Sequence, residues 1–238
     1  MESNAREIRY NFFEELIQKH TYENLLTAHQ LNDRLEWFLM QLSRGSGLIE
    51  MVSMREIEKR KNYNLIRPLI NISKEKLLSF LDNNNVKYFI DESNTNEDIS
   101  RNYFRHNFAN ELMQNNSEAI ARSFNYLEKD KNDLIEKIEV ENNLKLYKFK
   151  TPKTLRSLRF YVDKILKENG ILLSSAQRDE INFEIEIVLS GKFVIAVTQN
   201  LTWIAPYLKV SMDKKFKEKC RVEKIPQNIR PYLFVNNL

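Results

Sequence analysis

Apolar positions in the first part of the chain step at helical spacing. Ile8, Phe12 and Leu16 predict a helix over residues 2–19. "NLLTA" (24–28) is short and apolar and is followed by a new helical pattern, as a buried parallel strand would be. Leu31, Leu35, Phe38, Leu39 and Leu42 fall on one face of a helix over 31–42, which Arg44-Gly45-Ser46-Gly47 terminates. "NLIRPLI" (64–70) reads as a second short strand with its proline toward the end. Ser73 caps a helix running through Leu81, and "VKYFI" then leads into the polar loop 91–100. Strands alternating with helices predict an α/β layer built on a parallel sheet.

Beyond residue 102 the pattern becomes helical. The stretch 116–140 predicts one long charged helix, Pro152 opens another running to Gly170, and Ser174–Leu189 predicts a third. "KFVIAVTQNLTWIAPYLKV" (192–210) has two apolar runs about Gln199-Asn200, a hairpin signal, and a lysine-rich tail follows over 211–224. The expected division is an α/β domain over 1–115, a connecting helix over 116–140, and a smaller helical or α+β domain over 141–238.

Composition narrows the class. Among 238 residues 42% are hydrophobic, with 14 Phe and 10 Tyr, enough to bury cores and inconsistent with disorder. No apolar run approaches the ~18 residues of a membrane span, and "MESNAREIRY" lacks the apolar core of a signal peptide. A single cysteine, Cys220, excludes an internal disulfide and a cysteine-rich zinc site, so a reducing cytoplasm is expected. The net charge is only +4, yet Lys145–Lys167 holds eight Lys/Arg against one acid, Asp163. Such a block suits a polyanionic partner, and it equally suits a solvated helix face.

The candidate chemistry starts at "LLTAHQLNDRLEWFLMQLSRGSG" (25–47). His29 stands at a strand end before a helix, where open α/β sheets bind ligands. Asp33 and Glu36 share a helix face distinct from the leucine face. They suit a cationic ligand, a metal, or the positive end of the helix dipole. A dedicated metal site is the weaker reading, because His20 and His106 have no acidic company, and no metal ligand is assigned. Arg6 and Arg9 lie at i and i+3, and Arg101 and Arg105 at i and i+4. Such pairs are solvated unless they converge on a pocket, where they clamp phosphates.

Together these pieces resemble the tRNA(Ile)-lysidine synthetase family of the PP-loop ATP pyrophosphatase group. "ESNAREIRYNFF" is similar to the family's E-x-x-A-R-x-x-R-Y helix, and "TAHQLNDRLEWFLMQLSRGSGL" to its A-H-x-x-D-Q-x-E-T-x-L-x-x-L-x-R-G-S-G segment. "LIRPLI" resembles its I-R-P-L-L strand, and "YFIDESNTNEDISRNYFRHNF" its W-x-x-D-x-S-N…R-N-x-x-R block. "TLRSLRFYVDKILKENG" and the hairpin resemble its first tRNA-binding domain more loosely.

The resemblance implies an incomplete parallel-sheet PP-loop domain, of the adenine nucleotide alpha hydrolase type, followed by the smaller domain. It implies that ATP, with Mg2+, adenylylates the ring carbonyl of the wobble cytidine of tRNA(Ile), after which the side-chain amine of free L-lysine attacks. Arg6, Arg9, His29, Asp33 and Glu36 would then be catalytic. Asp91, Ser93, Asn94, Arg101, Asn102 and Arg105 would bind substrate. Lys148, Lys150, Lys153, Arg156 and Arg159 would meet tRNA. Two positions depart from the family: its Gln after the aspartate is Arg34, and its Thr after the glutamate is Trp37.

A larger departure is that the Ser-Gly-Gly-x-Asp-Ser phosphate loop does not occur, the glycines being Gly45, Gly47, Gly170 and Gly191. The chain is therefore expected to be a fragment inactive by itself, with an exposed sheet edge that invites pairing into a homodimer. Other expectations are a catalytically silent tRNA-binding module and a different PP-loop tRNA-modifying enzyme. The paired cysteines of thiolase-type members are missing, which argues against the last.

Overall fold

The computed structural model describes residues 2–60, 62–89 and 98–238, with side chains from Glu7 onward. Two compact units divide the chain, residues 1–131 and 132–238.

The first unit opens with α1 (Glu2–His20), β1 (Asn24–Leu26) and α2 (Leu31–Ser43), at the three places where periodicity predicts them. Asp33 and Gln30 close a capping box at the start of α2: Gln30 Oε1 accepts from Asn32 N–H (3.0 Å), and Asp33 Oδ2 accepts from Gln30 N–H (2.9 Å). Gly45, at φ +71°, turns the chain away after the C-cap Arg44. Then come α3 (Leu48–Met51), β2 (Ile57–Lys59), β3 (Asn64–Ile66) and α4 (Lys74–Asn83), the last capped by Ser73 as expected. After α5 (Ser100–Phe104) the chain makes one π-helical turn (Arg105–Ala109) and continues as α6 (Asn110–Leu134).

Among the described residues the sheet runs β1-β3-β2. β1 pairs with β3 in parallel, the arrangement expected of an α/β layer, but it is not the buried strand expected, since Leu26 is 63% exposed, and β2 adds an antiparallel edge that the sequence did not suggest. The second predicted strand is shorter than read: β3 stops at Ile66, and residues 67–70 turn, because Pro68 has no N–H to donate to a ladder. Leu31, Leu35, Val52, Ala109, Met113 and Phe124 form one core, and Ile17, Tyr63 and Leu65 a second against α1.

Lys131 is 3% exposed, and its Nζ donates to Ile49 O (3.3 Å) and Val52 O (3.4 Å). Burial, aided by the charge of Arg55, pushes its pKa down to about 8. An unfolded lysine titrates near ~10.4. Between these values the unfolded chain holds more protons, so this group makes stability rise as pH climbs from about 8 to 10. Melting curves of wild type and Lys131→Met at pH 7 and pH 10 should show wild type gaining relative to the variant. An unchanged gap would contradict the assignment.

The second unit is a five-stranded sheet, β4-β5-β8-β7-β6, antiparallel throughout. Its strands are β4 (Val140–Asn143), β5 (Leu146–Lys150), β6 (Glu186–Leu189), β7 (Phe193–Val197) and β8 (Leu201–Pro206). Its helices are α7 (Leu155–Glu168), α8 (Ser175–Glu180), α9 (Lys214–Val222) and α10 (Arg230–Asn236). One face packs on α7 through Tyr147, Phe149, Leu158, Val162, Ile195 and Ile204. The other meets α10 through Leu146, Val194, Ala205, Ile229 and Leu233. β7 and β8 are the predicted hairpin.

Three expectations are corrected here. The helix read over 116–140 starts earlier, at Asn110, and ends at Leu134. Beyond it Glu136 N–H donates to Ser157 Oγ and Ile138 N–H to Tyr161 Oη, so these amides leave the helical ladder for α7. The helix read over Ser174–Leu189 is only α8; Ile185, Ile187 and Leu189 alternate with period two and place β6 on the core. The helix expected to open at Pro152 instead begins after Thr154, whose side chain accepts from Ser157 N–H.

The β4–β5 hairpin carried no turn signal. Its two-residue loop holds Leu144 and Lys145 at φ +52° and +68°, where Asn-Gly is the usual occupant. The Leu144 carbonyl is held by the hydroxyl of Tyr232.

Candidate active site

β1 and β3 run parallel, so the residues following their carboxyl ends come to the same side of the sheet. His29 follows β1 and Arg67 follows β3, and both line one cavity of about 280 Å³. Asp33, Trp37 and Met40 reach it from successive turns of α2, Ser53 and Met54 from the segment after α3, Glu58 and Arg60 from β2 and its end, and Arg101 from α5. A ligand-binding crevice at strand carboxyl ends is the expected place for an open α/β sheet.

The two acids of α2 meet the two arginines of the Arg-Asn-x-x-Arg block. Arg101 Nε donates to Glu36 Oε2 (2.7 Å) and its Nη2 to Asp33 Oδ1. Arg105 Nε donates to Glu36 Oε1 (2.6 Å), its Nη2 to Oε2 (3.2 Å), and its Nη1 to Asn102 Oδ1 (3.2 Å). The π-helical turn begins at Arg105, an insertion that re-aims side chains and is frequent at functional sites. Glu36 is 1% exposed and stands behind the cavity wall, while Asp33 lies on the wall itself. Asp33 is doubly oriented, by the Gln30 amide on one oxygen and Arg101 on the other. His29 Nδ1 shares a hydrogen bond with Thr27 Oγ1 (2.8 Å).

Both departures within the helix motif have structural explanations. Arg34 is 2% exposed and turns away from the cavity. It donates to Asn71 Oδ1 (2.8 Å), pairs with Glu128 (2.7 Å) and stacks on Phe124 at 4.4 Å. Trp37 lines the cavity and donates its Nε1–H to Glu50 O (3.1 Å), tying α2 to α3.

Of the expected site residues, His29, Asp33 and Arg101 line the cavity, with Glu36, Asn102 and Arg105 linked behind it through the pairs above. Arg9 is exposed on α1. The side chain of Arg6, and Asp91, Ser93 and Asn94, lie outside the described residues. Sequence reasoning missed Glu58, Arg60 and Arg67. Arg67 stands within the quoted "LIRPLI", where only strand character was read; Glu58 and Arg60 alternate on a strand too short to announce itself.

The basic block of the second unit divides between two sides of its sheet. Alternation along β5 sends Lys148 and Lys150 to the face opposite Tyr147, Phe149 and α7. Lys148 stacks on Trp203 at 5.0 Å. Lys153 and Arg156 are exposed around the start of α7. Arg159 donates to Ile181 O (3.0 Å) and Asp179 O (2.9 Å) and pairs with Asp179, fastening the end of α8.

The mixed sheet, this cavity and its acid–arginine cluster belong to an α/β domain, and residues 1–112 match the PP-loop domain family. A tRNA(Ile)-lysidine synthase of Campylobacter jejuni (strain RM1221) is 41% identical over 240 residues, covering 98% of this chain and 71% of that protein. One from Helicobacter pylori (strain 26695) is 41% identical over 244 residues, covering 100% and 70%. A third, from Helicobacter hepaticus, is 35% identical over 271 residues, covering 96% and 64%. The chain belongs to the tRNA(Ile)-lysidine synthase family.

Proposed function

We propose that this chain acts as a tRNA(Ile)-lysidine synthase, an ATP-dependent carbon–nitrogen ligase that joins free L-lysine to the wobble cytidine of tRNA(Ile). The observation that carries this reading is the convergence of Asp33, Glu36, Arg101 and Arg105 beside a cavity at the strand carboxyl ends. In the first step the ring-carbonyl oxygen attacks the α-phosphorus of ATP and pyrophosphate leaves. In the second the lysine side-chain amine attacks the activated ring carbon, AMP departs with the oxygen, and the amine gives up a proton.

The residue types suit these steps. A lysine ammonium, with a pKa near ~10.4, must be held and deprotonated before it attacks. Asp33, on the cavity wall and already oriented by the Gln30 amide, is placed to hold it. Glu36 is buried under both guanidiniums and acts as their positioning residue. A phosphate entering the cavity draws Arg101 toward itself, neutralising growing charge and releasing Asp33 for the ammonium. His29 serves the nucleotide side, with Arg105 and Asn102 behind the cavity supporting it; the roles of Arg6, Arg9, Asp91, Ser93 and Asn94 are proposed from the family motifs alone. The 238 residues contain no run of glycines whose amides would cradle a pyrophosphate, so the side chains named here are this chain's own contribution to nucleotide binding. Mg2+ would arrive with the phosphates.

Lys148, Lys150, Lys153 and Arg156 form the proposed tRNA contacts, with Arg159 on the same helix bracing α8. Among the described residues no helix is long and apolar enough to cross a membrane; a cytoplasmic location is proposed from the tRNA substrate. A homodimer is the proposed way to pair β1, which has one strand partner among the described residues.

ATP-dependent transfer of radiolabelled lysine to tRNA(Ile) is the test. A protein that joins these residues to a phosphate loop should incorporate label, the 238 residues alone should incorporate little, and Asp33→Asn should lower the rate by about 100-fold or more, the scale of removing one preorganised charged contact. Salt-sensitive tRNA binding with no incorporation by the joined protein would replace the ligase by a binding module.

A further inference from the structure

Two acid–arginine sets line the same cavity, and the proposed reaction uses only one. The second belongs to β2 and the end of β3. Glu58 Oε1 pairs with Arg60 Nη2 at 2.8 Å, and Glu58 Oε2 pairs with Arg67 Nη2 at 3.1 Å. Glu58 and Arg60 are two apart on an extended segment, so both project from one face of the sheet.

The two arginines are held very differently. The Arg67 side chain is 5% exposed and its Nη1 donates to Arg55 O (2.9 Å), so it is a fixed anchor for one oxygen of Glu58. Arg60 is 41% exposed at its side chain, and Glu58 32%. The Oε1–Arg60 contact is therefore a solvated surface ion pair that costs little to open.

Such a pair accepts a zwitterion by exchanging its one ion pair for two. An α-carboxylate takes Arg60, an α-ammonium takes Glu58 Oε1, and Arg67 keeps the carboxylate of Glu58 aimed throughout. The same cavity offers the apolar surfaces of Trp37, Met40 and Met54 for a hydrocarbon stem, and Asp33 for a distal ammonium. Its inventory is that of an amino acid with a long, basic side chain.

We propose that Glu58 and Arg60, steadied by Arg67, read the α-amino and α-carboxylate groups of the amino-acid substrate; this rests on the lysine-ligating function proposed above. These residues set specificity and have no part in the bond-making steps. They explain how free lysine would be distinguished from a plain diamine that presents the same terminal amine.

The test is titration calorimetry of the whole chain, with ATP present to draw Arg101 off Asp33, against L-lysine, Nα-acetyl-L-lysine and cadaverine, which lacks the α-carboxylate. Wild type should prefer L-lysine over both analogues by about 10- to 100-fold, the range of one charge-assisted hydrogen bond. Arg60→Ala should weaken L-lysine by that factor while cadaverine holds or gains, because Glu58 is freed for its second ammonium. Glu58→Gln should abolish the discrimination against Nα-acetyl-L-lysine. Asp33→Asn, which tests the underlying reading, should weaken L-lysine and cadaverine alike. If Asp33→Asn has that effect while Arg60→Ala changes both ligands equally or neither, the α-group assignment falls and the functional reading stands. Wild type failing to bind L-lysine would remove both.

Discussion

Glu36→Gln is expected to lower lysine transfer at least about 100-fold and to destabilise the first unit by about 3–5 kcal/mol, the cost of breaking one side of a buried ion pair. Glu36 is 1% exposed and its two oxygens receive Arg101 and Arg105 at 2.6 to 3.2 Å. A glutamine offers one acceptor oxygen and no charge, leaving two guanidiniums short of their counter-ion. Arg101 still has Asp33, so that pair should tighten and withdraw Asp33 from the cavity. The variant should therefore show a lower melting temperature together with a reduced turnover per folded molecule. Full turnover in a protein that merely melts earlier would reduce Glu36 to a structural residue.

Arg34→Ala should cost about 3–5 kcal/mol in urea denaturation, on the scale of emptying a large buried side chain. Its guanidinium joins Asn71, Glu128 and the ring of Phe124, so truncation leaves a void between α2 and α6 and an unpaired Asn71. Burial lowers the pKa of this guanidinium, with Glu128 and Glu56 opposing the shift, so the site bears a desolvation penalty. Arg34→Met keeps much of the volume and removes that penalty, and should recover at least half of the loss. Because Arg34 turns away from the cavity, turnover per folded molecule should be unchanged in both variants. A selective loss of lysine transfer would return this position to the substrate side.

The two variants separate uses of charge that look identical as letters. Asp33, Arg34 and Glu36 are neighbours on α2, yet one faces the cavity, one is tied to α6, and one is sealed beneath two arginines. Amphipathic spacing correctly assigns Leu31 and Leu35 to the core. It does not anticipate a helix buried on its polar sides as well.

Local signals determined much of this protein. The caps at Ser73 and Thr154, the period of α2, Gly45 after its end and the β7–β8 hairpin all depend on residues within a few positions of one another. The quoted motifs likewise placed His29, Asp33 and Arg101 on their elements. Tertiary structure alone decided that Glu36 meets arginines 65 and 69 positions away, and that Glu58 and Arg60 share their cavity. It also decided that the basic block divides across a sheet. The physical reason is that helix and turn preferences are set by neighbours a few residues apart, whereas ion pairs and strand partners depend on which distant segments the closed chain brings together.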